Sequence, residues 1–354
     1  RMQFAAEVHN MSHPGEQAIS VKERQIIEQM IMNKKPHPDG GYQVPVAWNE
    51  NKEKLNCRSS YIAAKQRLFS FERSKFYQNE ENRKGYFKVF RDYKAEGFIK
   101  KVENPNFDES WILPHFQAVK KGSNKVRPVF DCAYKPGGKL GLNDAIDAGP
   151  NVLANIIKVL VRFRALPIAV TCDVRNMFLK VKLPEEDRPY FRFLYHENPS
   201  HEIEVWEFTV RVFGGADSPC ASVTNVQDEA TKHQETHPLA HETIFNGTIV
   251  DDTIDSFWMA EIARRAKTEV IEIYSMCGME LHKFCSSDPE VISEEISNGK
   301  AVATEEDEYS KALGFKWNNR KDNLKYEEVK PVDTSKWTKR KLLQTHAQLF
   351  SPLG

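Results

Sequence analysis

The chain has 354 residues, of which 40% are hydrophobic and 28% are charged, so it can bury a large core and divide into two or more lobes. Fifty Lys and Arg residues balance fifty Asp and Glu residues, which is not the basic excess typical of a dedicated nucleic-acid-binding domain. No apolar run approaches the roughly 20 residues that cross a bilayer and no secretion signal is recognisable, so the sequence predicts a soluble protein inside the cell.

Charge is unevenly distributed along the chain. Residues 81–139 hold thirteen Lys or Arg residues against seven Asp or Glu residues, whereas residues 286–310 hold eight acidic residues and one lysine. This pattern is compatible with a positive lobe that faces a polyanion, and equally with an ordinary solvated surface.

The six cysteines show no CxxC pair and no regular spacing. They therefore predict reduced thiols in the core rather than a disulfide framework or a structural zinc site. An alternative metal site at Cys277, His282 and Cys285 lacks an evident fourth ligand.

The N-terminal part of the sequence predicts helices. Residues 21–31 have helical spacing and the Pro- and Gly-containing residues 36–41 break it, which predicts an appendage and a linker. Apolar residues recur at helical intervals through residues 58–93 until Gly97 ends the pattern, which predicts two surface helices.

The middle of the sequence predicts strands on both sides of a helix. Residues 111–119 and 125–132 are β-rich runs around a basic tip, which predicts a hairpin. Residues 153–163 carry an apolar stripe at helical spacing, and residues 168–173 form a compact apolar strand that ends in an acid.

The remaining elements complete a mixed fold. Strands are predicted at residues 190–195, 203–212 and 244–257, and a helix is predicted over residues 259–276. Another helix is predicted to start at Ser218, because Ser-Pro supplies an N-cap and a favoured first helical residue. This order predicts an α+β fold in which helices cover one face of a sheet.

Acidic residues at two places in this predicted sheet indicate metal chemistry. Asp173 ends an apolar strand, and Asp251 and Asp252 have β-branched neighbours. Buried acids are costly unless they are paired or bind a cation, and Mg²⁺ prefers oxygen ligands. Two such ions about 3.5–4 Å apart can promote an in-line displacement. Each acid alone also fits a solvated turn. Asn246-Gly247 offers a competing hairpin turn, but we expect the turn at the acids.

Several short motifs follow one another between residue 43 and the end of the sequence. They are Lys125-Val126-Arg127-Pro128-Val129-Phe130-Asp131, Leu142-Asn143-Asp144, Gly149-Pro150, Asp173 with Met177-Phe178, Phe213-Gly214 with Ser218-Pro219, and Val250-Asp251-Asp252, supported by Leu113-Pro114-His115 and Ser351-Pro352-Leu353-Gly354. Together they resemble the reverse transcriptase of Bel/Pao-type LTR retrotransposons. The resemblance and the form of the two ends suggest a piece of a longer polyprotein.

The resemblance implies a right-hand polymerase, an α+β fold with fingers, a palm whose antiparallel sheet is backed by helices, and the start of a thumb. Its parts would be an N-terminal extension and linker (1–57), fingers (58–150 and 180–216), a palm with a primer-grip hairpin (151–179 and 217–327), and a truncated thumb or connection (328–354). The implied activity is RNA-directed DNA polymerisation, in which dNTPs extend a primer by two-metal nucleotidyl transfer.

The resemblance also implies the catalytic residues. Asp173 and Asp251 would hold two Mg²⁺ ions, with Mn²⁺ as a substitute, and the backbone carbonyl of Val174 would add a ligand. Asp252 would lie beside them with a lesser role. Lys283 would lie near the leaving pyrophosphate as a proton donor, and an exposed surface lysine is its alternative interpretation.

Substrate contacts are implied as well. Arg127, assisted by Lys125, would reach the triphosphate, which suits a forked donor that keeps its charge. Phe178 would lie under the incoming sugar and exclude a 2′-hydroxyl, unless it is only a core residue. Phe213 and Gly214 would line the nucleotide pocket, where glycine allows close backbone approach.

One further motif resembles a hairpin of the family, and one residue differs from the usual family pattern. Leu313, Gly314, Phe315 and Trp317 match the hairpin that grips the primer end, although alone they predict an aromatic strand in a core. Ile249 stands where the family commonly has tyrosine, which removes a hydroxyl but leaves the metal ligands.

The resemblance also implies partners and a location. The partners are an RNA or DNA template with its primer, dNTPs, and the protease, ribonuclease H and integrase domains outside this piece, with no membrane among them. The location is the cytoplasm, including virus-like particles, with access to the nucleus.

Two other interpretations compete with a polymerase. A decayed or domesticated copy would bind nucleic acid or another protein without catalysis. Residues 251–255 also match the DDxxD magnesium-diphosphate motif of isoprenoid enzymes. That motif needs a helix that brings acids at i and i+4 to one face, whereas the β-branched neighbours here favour a strand.

Overall fold

A computed structural model describes residues 19–119, 126–197, 201–298, 310–326 and 338–346. The chain divides into two compact units, each built from two separate segments. The first unit comprises Arg1–Val152 and Asn176–Asp228, and the second comprises Leu153–Arg175 and Glu229–Gly354. Both contain helices and predominantly antiparallel sheets, so the predicted mixture of helix and sheet is confirmed.

The elements of the described residues are numbered here in chain order. The α-helices are α1 (Val21–Asn33), α2 (Cys57–Glu72), α3 (Lys75–Gln78), α4 (Glu80–Ala95), α5 (Ile156–Ala165), α6 (Ser218–Lys232), α7 (Pro238–Asn246), α8 (Ala260–Met276), α9 (Ser293–Ser297) and α10 (Lys339–His346). The strands are β1 (Lys35–Pro36), β2 (Tyr42–Gln43), β3 (Ile99–Val102), β4 (Ile112–Leu113), β5 (His115–Val119), β6 (Val126–Phe130), β7 (Ile168–Val174), β8 (Arg192–Tyr195), β9 (Glu204–Phe208), β10 (Thr248–Ile249), β11 (Asp252–Phe257), β12 (Leu281–Ser286), β13 (Ser310–Ala312), β14 (Phe315–Asn318) and β15 (Asn323–Lys325).

Helix α1 begins at a capping box. The Ser20 hydroxyl accepts a hydrogen bond from the backbone N–H of Glu23, and the Glu23 carboxylate accepts one from the backbone N–H of Ser20. Two backbone donors that have no partner within the helix are thereby satisfied. The helix then buries one apolar face, formed by Ile26, Ile27, Met30 and Ile31.

Buried polar contacts anchor the chain that follows α1. Lys34 Nζ lies 2.6 Å from Asp228 Oδ2, and both side chains are almost fully buried. The Asp187 carboxylate accepts hydrogen bonds from the backbone N–H of Val46 and the indole N–H of Trp48. Because an unpaired buried charge is costly, these contacts oppose detachment. Residues 19–57, for which the sequence suggests an appendage and a linker, therefore pack into the first unit.

An aromatic cluster forms the core of the first unit and joins α4 to the sheet β3-β9-β8-β4. Phe90 of α4 is fully buried, and its ring centroid lies 4.7 Å from that of Tyr195 and 5.7 Å from that of Phe193. Such ring pairs contribute about 0.5–1.5 kcal/mol beyond their burial. Helix α4, in the region where the sequence predicts surface helices, therefore has an aromatic face that packs against β8.

Strands β5 and β6 form the predicted hairpin. They pair antiparallel from His115 opposite Phe130 to Val119 opposite Val126. The predicted basic tip, including Lys125, lies outside the described residues.

One histidine of this hairpin is buried in the aromatic core. The Tyr86 hydroxyl contacts His115 Nδ1, and His115 Nε2 lies 2.7 Å from the carbonyl oxygen of Leu194. A neutral ring that donates from Nε2 and accepts at Nδ1 satisfies both contacts. Burial lowers the pKa of His115 to about 4, because the charged ring would lose its hydration.

The second unit is built on a four-stranded antiparallel sheet with the order β10-β11-β7-β12. Strand β11 pairs with β7 over six positions, from Asp252 opposite Asp173 to Phe257 opposite Ile168. Helices α5 and α8 pack against β11 and β7. The strand predicted at residues 168–173 therefore lies in the middle of the sheet, with a paired strand on each side.

Asp255 joins the helices of the second unit to β11. Its buried carboxylate accepts hydrogen bonds from Arg162 Nε at 2.7 Å and Nη2 at 3.0 Å, and from Thr243 Oγ1 at 2.7 Å. A bidentate arginine pair with a further donor satisfies a carboxylate that would otherwise be costly to bury. Asp255 is therefore a structural residue of the sheet.

Helix α7 replaces the first part of a predicted strand. The sequence predicts a strand over residues 244–257, but Ile244 to Asn246 are helical and the strand pairing begins at Thr248. The Glu269 carboxylate accepts hydrogen bonds from the backbone N–H groups of Leu239 and Ala240, at 2.9 and 3.2 Å. This tertiary cap at the helix N-terminus overrides the β-branched composition.

A smaller sheet, β13-β14-β15, completes the described part of the second unit. Trp317 of β14 is fully buried, and its ring centroid lies 5.0 Å from that of Phe163 in α5. The tryptophan thus packs this sheet against the helix that precedes β7.

Within the described ranges, none of the helices is both long enough and apolar enough to cross a lipid bilayer.

We predict that His115 makes the stability of the chain depend on pH. Its pKa is about 4 in the folded chain, whereas an unperturbed histidine has a pKa of 6.5, so the unfolded chain binds more protons between these values. Stability should therefore fall by about 3 kcal/mol from this group as the pH drops through that window. Urea unfolding of the wild type and His115→Gln should show a difference in unfolding free energy that narrows by this amount between pH 7 and pH 4. If the difference in unfolding free energy stays constant between pH 7 and pH 4, the lowered pKa of His115 is contradicted.

Candidate functional site

Strand pairing brings three acidic residues to one end of the central sheet of the second unit. Asp173 is the penultimate residue of β7, and Asp252 lies directly opposite it as the first residue of β11. Asp251 occupies the turn between β10 and β11. The backbone N–H of Val174 donates to the carbonyl oxygen of Asp251 at 2.8 Å, which fixes this turn beside the end of β7.

The turn at the acids is tight and contains a strained residue. Ile249 pairs with Asp252, so Val250 and Asp251 are the two central residues of the turn, and Val250 has a φ of 53°. A β-branched residue rarely adopts positive φ, and such outliers concentrate at functional sites. The expected turn at the acids is confirmed.

The competing turn at Asn246-Gly247 is absent because these residues end α7. The N–H of Gly247 donates to the carbonyl of Thr243 at 2.7 Å, and the carbonyl of Gly247 accepts from Ile254 N–H at 2.8 Å. A Cβ atom at position 247 would lie 2.6 Å from the carbonyl oxygen of Ile254. Glycine is required here for close approach to β11.

Burial and two neighbouring acids both disfavour the ionised form of Asp252. Burial raises the pKa of its carboxyl to about 6, and the nearby charges of Asp251 and Asp173 contribute to the rise, whereas Lys283 opposes it. Burial is the largest cause, and the two neighbouring carboxylates add electrostatic repulsion to it. A bound cation would relieve this repulsion.

Asp173 is held by two neighbours on β12. Lys283 Nζ lies 2.7 Å from Asp173 Oδ2, and His282 Nε2 lies 2.8 Å from Asp173 Oδ1. The pairing of β12 with β7 shifts register between His282 and Cys285, and Lys283 has a φ of 55°. This β-bulge directs two successive side chains to the same carboxylate.

The donor set fits a hard divalent cation. Three carboxylates, one from β7, one from β11 and one from the turn between β10 and β11, supply the oxygen ligands that Mg²⁺ prefers, and a cation would offset the repulsion that Asp251 and Asp173 exert on Asp252. Among the described residues, no group of three or more His, Cys, Asp or Glu side chains is already arranged to hold a metal ion. Neither the predicted acidic triad nor the alternative site at Cys277, His282 and Cys285 is therefore preassembled.

The predicted nucleotide-binding residues that can be described lie in the first unit. The rings of Phe178 and Phe213 have centroids 5.0 Å apart, and Phe213 is 49% exposed. Arg127 is an exposed residue of β6, in register with Ala118 of β5. The structure therefore brings the two predicted aromatic residues together and leaves the arginine at the surface of its hairpin.

Gly214 follows this aromatic pair in a conformation that requires glycine. Its φ is 108°, and a Cβ atom would lie 2.9 Å from the carbonyl oxygen of Phe130. Asn143 donates to the carbonyl oxygen of Gly214 at 2.9 Å and accepts from the N–H of Ala216 at 3.0 Å. The motifs around residues 143 and 214 are thus joined by hydrogen bonds.

The predicted primer-grip hairpin is present in the second unit, but most of its apolar side chains are buried. Leu313 and Gly314 form a two-residue turn with positive φ at both positions, between β13 and β14. Leu313, Phe315 and Trp317 are buried, as expected for an aromatic strand in a core. Ile249 packs against the same hydrophobic cluster as Leu313 and Trp317, so the acidic turn and the hairpin share one core.

Sequence reasoning missed one contact of the site, and its rejection of the DDxxD alternative is confirmed. His282 contacts Asp173, but nothing in the composition of β12 indicates the bulge that brings it there. The DDxxD interpretation requires a helix, whereas Asp252 and Asp255 lie on a strand and Asp255 is paired with Arg162.

No protein-family model matches this chain, and no curated protein is similar enough to match it.

We predict that Asp252→Asn stabilises the chain at neutral pH when a chelator removes divalent cations. The raised pKa of Asp252 means that its ionised form disfavours folding, and this cost develops as the pH rises from 3.8 through about 6. The amide should increase the unfolding free energy by about 1–3 kcal/mol at pH 7.5, and the gain should vanish near pH 4. Denaturant titrations at both pH values would measure it. A variant that is less stable at both pH values would contradict a folding cost of the ionised Asp252 carboxylate.

Proposed function

We propose that this chain is an RNA-directed DNA polymerase, a reverse transcriptase that extends a primer with dNTPs. The observation that carries the proposal is the convergence of Asp173, Asp251 and Asp252 at one end of an antiparallel sheet. The order of the sequence motifs and their resemblance to Bel/Pao-type reverse transcriptases add the choice of reaction.

The acidic residues at the end of the sheet supply the metal ligands that nucleotidyl transfer requires of a protein. Asp173 and Asp251 would hold two Mg²⁺ ions, which supply activation of the primer hydroxyl and stabilisation of the leaving pyrophosphate. The chain contributes a fixed backbone: the Val174–Asp251 hydrogen bond and the β7–β11 register hold the three acidic residues at one end of the sheet, where bound metal would draw their carboxylates together.

Three further residues have properties that suit nucleotide binding. The forked guanidinium of Arg127 is exposed and suits a triphosphate. Phe178 packs on Phe213, and this contact limits the motion of the Phe178 ring. A ring held in place suits the proposed role of excluding sugars that carry a 2′-hydroxyl. Gly214 lets the backbone approach closely beside this pair.

We also propose that residues 151–179 and 217–327 form the palm, most of which falls in the second unit, and that residues 58–150 and 180–216 form the fingers, which fall in the first unit. This assignment is supported by the interrupted course of the chain, because residues 153–175 belong to the second unit, residues 176–228 return to the first, and residue 229 re-enters the second. A palm interrupted by part of the fingers has this order. The short hairpin at Leu313 and Gly314 would be the primer grip.

The proposed partners follow from the reaction. A template strand would be bound through phosphate contacts with weak sequence preference, together with a primer and dNTPs. Protease, ribonuclease H and integrase domains of a polyprotein are proposed as covalent neighbours. The proposed compartment is the cytoplasm or a virus-like particle within it.

We predict that Asp251→Asn abolishes primer extension on an RNA template with Mg²⁺ and leaves the fold intact. Asp251 lies in an exposed turn, so the stability should change by less than about 0.5 kcal/mol. The loss of a charged ligand should reduce the rate by a factor of about 100 or more. Extension by the wild type, by this variant and by Asp108→Asn would be compared in one assay. Asp108 is an exposed acid of the first unit, and its amide variant serves as the matched control.

Extension by Asp251→Asn at the control rate would refute the catalytic role of this acid. If the wild type binds a primer-template duplex in a salt-dependent manner but incorporates no nucleotide, a decayed or domesticated nucleic-acid-binding copy becomes the better interpretation.

A further inference from the structure

We propose that Lys283 and a divalent cation compete for the carboxylate of Asp173, so that the lysine is an internal lock on the metal site. This inference rests on the proposed function, because it assigns a regulatory step to the same acidic site. The lock has a closed state, in which the ammonium group holds Asp173, and an open state, in which metal holds Asp173 and the lysine is released.

The described contacts correspond to the closed state. Lys283 Nζ and His282 Nε2 approach different oxygens of Asp173, at 2.7 and 2.8 Å. Both carboxylate oxygens therefore already have a hydrogen-bond donor within the protein. Each oxygen keeps a second lone pair, but a divalent cation bound to Oδ2 would lie close to the ammonium group of Lys283, and the two positive charges would repel each other, so metal binding at Asp173 favours release of the lysine.

Lys283 is the donor that can leave. Its side chain is 54% exposed, and its partner Asp173 is 26% exposed, so the ion pair lies at the surface of the unit. Exposed ion pairs contribute only about 0–1 kcal/mol. His282 is 29% exposed and has a shorter side chain. Rotation of the lysine away from Asp173 requires no unpacking of the core, whereas His282 can remain and orient the second oxygen.

The β-bulge gives the lysine its position. Regular β pairing would point residues 282 and 283 to opposite faces of the sheet. The register shift after His282 and the positive φ of Lys283 instead bring both side chains to Asp173. A left-handed conformation at a non-glycine residue costs of order 1 kcal/mol and persists only when the surroundings enforce it. The fold therefore maintains this contact at some cost.

The charges explain why an ammonium group and a metal ion are interchangeable here. Asp251 and Asp173 repel the ionised carboxylate of Asp252, and Lys283 is a cation that counteracts this repulsion. A divalent ion carries twice the charge and approaches carboxylate oxygens to about 2.1 Å. It therefore neutralises the three acids better than the lysine does. Once displaced, the ammonium group is available to an anion such as a phosphate oxygen.

The test measures Mn²⁺ binding to the whole chain, without primer or nucleotide, by electron paramagnetic resonance. Lys283→Gln removes the competitor and should tighten Mn²⁺ binding roughly fivefold. Arg264→Gln is the matched control, because it removes one positive charge and one exposed ion pair from α8 of the same unit without contact to Asp173. Its affinity should equal that of the wild type. Equal or weaker binding by folded Lys283→Gln would overturn the lock.

A second measurement uses the wild type and is independent of any variant. The rate of acylation of each lysine by an amine-reactive ester, followed by mass spectrometry, should increase several-fold at Lys283 when Mg²⁺ is added. Lys88, which forms an exposed ion pair with Asp92 in the first unit, should not respond. An unchanged rate at Lys283 would contradict the competition.

These readouts are separate from catalysis. If the chain shows the competition but incorporates no nucleotide, the lock is supported and the proposed polymerase function is rejected. If it incorporates nucleotide without the competition, the polymerase function is supported and the lock is rejected.

Discussion

The pairing of β7 with β11 is the constraint on which the candidate site depends, because it holds like charges together that would separate in solution. Six residue pairs and the hydrogen bond from Val174 N–H to the Asp251 carbonyl fix the register. The cost appears at Asp252, whose pKa is raised to about 6 by burial and by its acidic neighbours. The sheet thus maintains a concentration of negative charge that a cation would stabilise.

Local sequence signals predict the parts of the site that depend on local rules. An apolar run ending in Asp173 predicts a strand, and β-branched residues around Asp251 predict extended structure, as observed, whereas the strongest local turn signal, Asn246-Gly247, does not mark the turn that forms. The bulge at Lys283 and the contact from His282 could not be predicted, because a register shift depends on the partner strand. Helix α7 could not be predicted for a similar reason, since its N-terminus is capped by Glu269 from another helix.

Several residues that the resemblance assigns to substrate binding also contribute to packing. Trp317 is fully buried against Phe163, and Phe178 packs on Phe213. Ile249 packs against the cluster that contains Trp317, so the turn at Asp251 and the hairpin at Leu313 share apolar contacts. A residue's chemical type alone does not separate these roles, whereas burial and contacts do.

The most direct test of the proposed metal site is an anomalous difference map, recorded at the manganese absorption edge, from crystals of the chain soaked in Mn²⁺. We predict a peak at the end of the central sheet, about 2.0–2.3 Å from carboxylate oxygens of both Asp173 and Asp251. Manganese bound elsewhere with none at this position, or Asp173 and Asp251 carboxylates on opposite faces of the sheet, would contradict it.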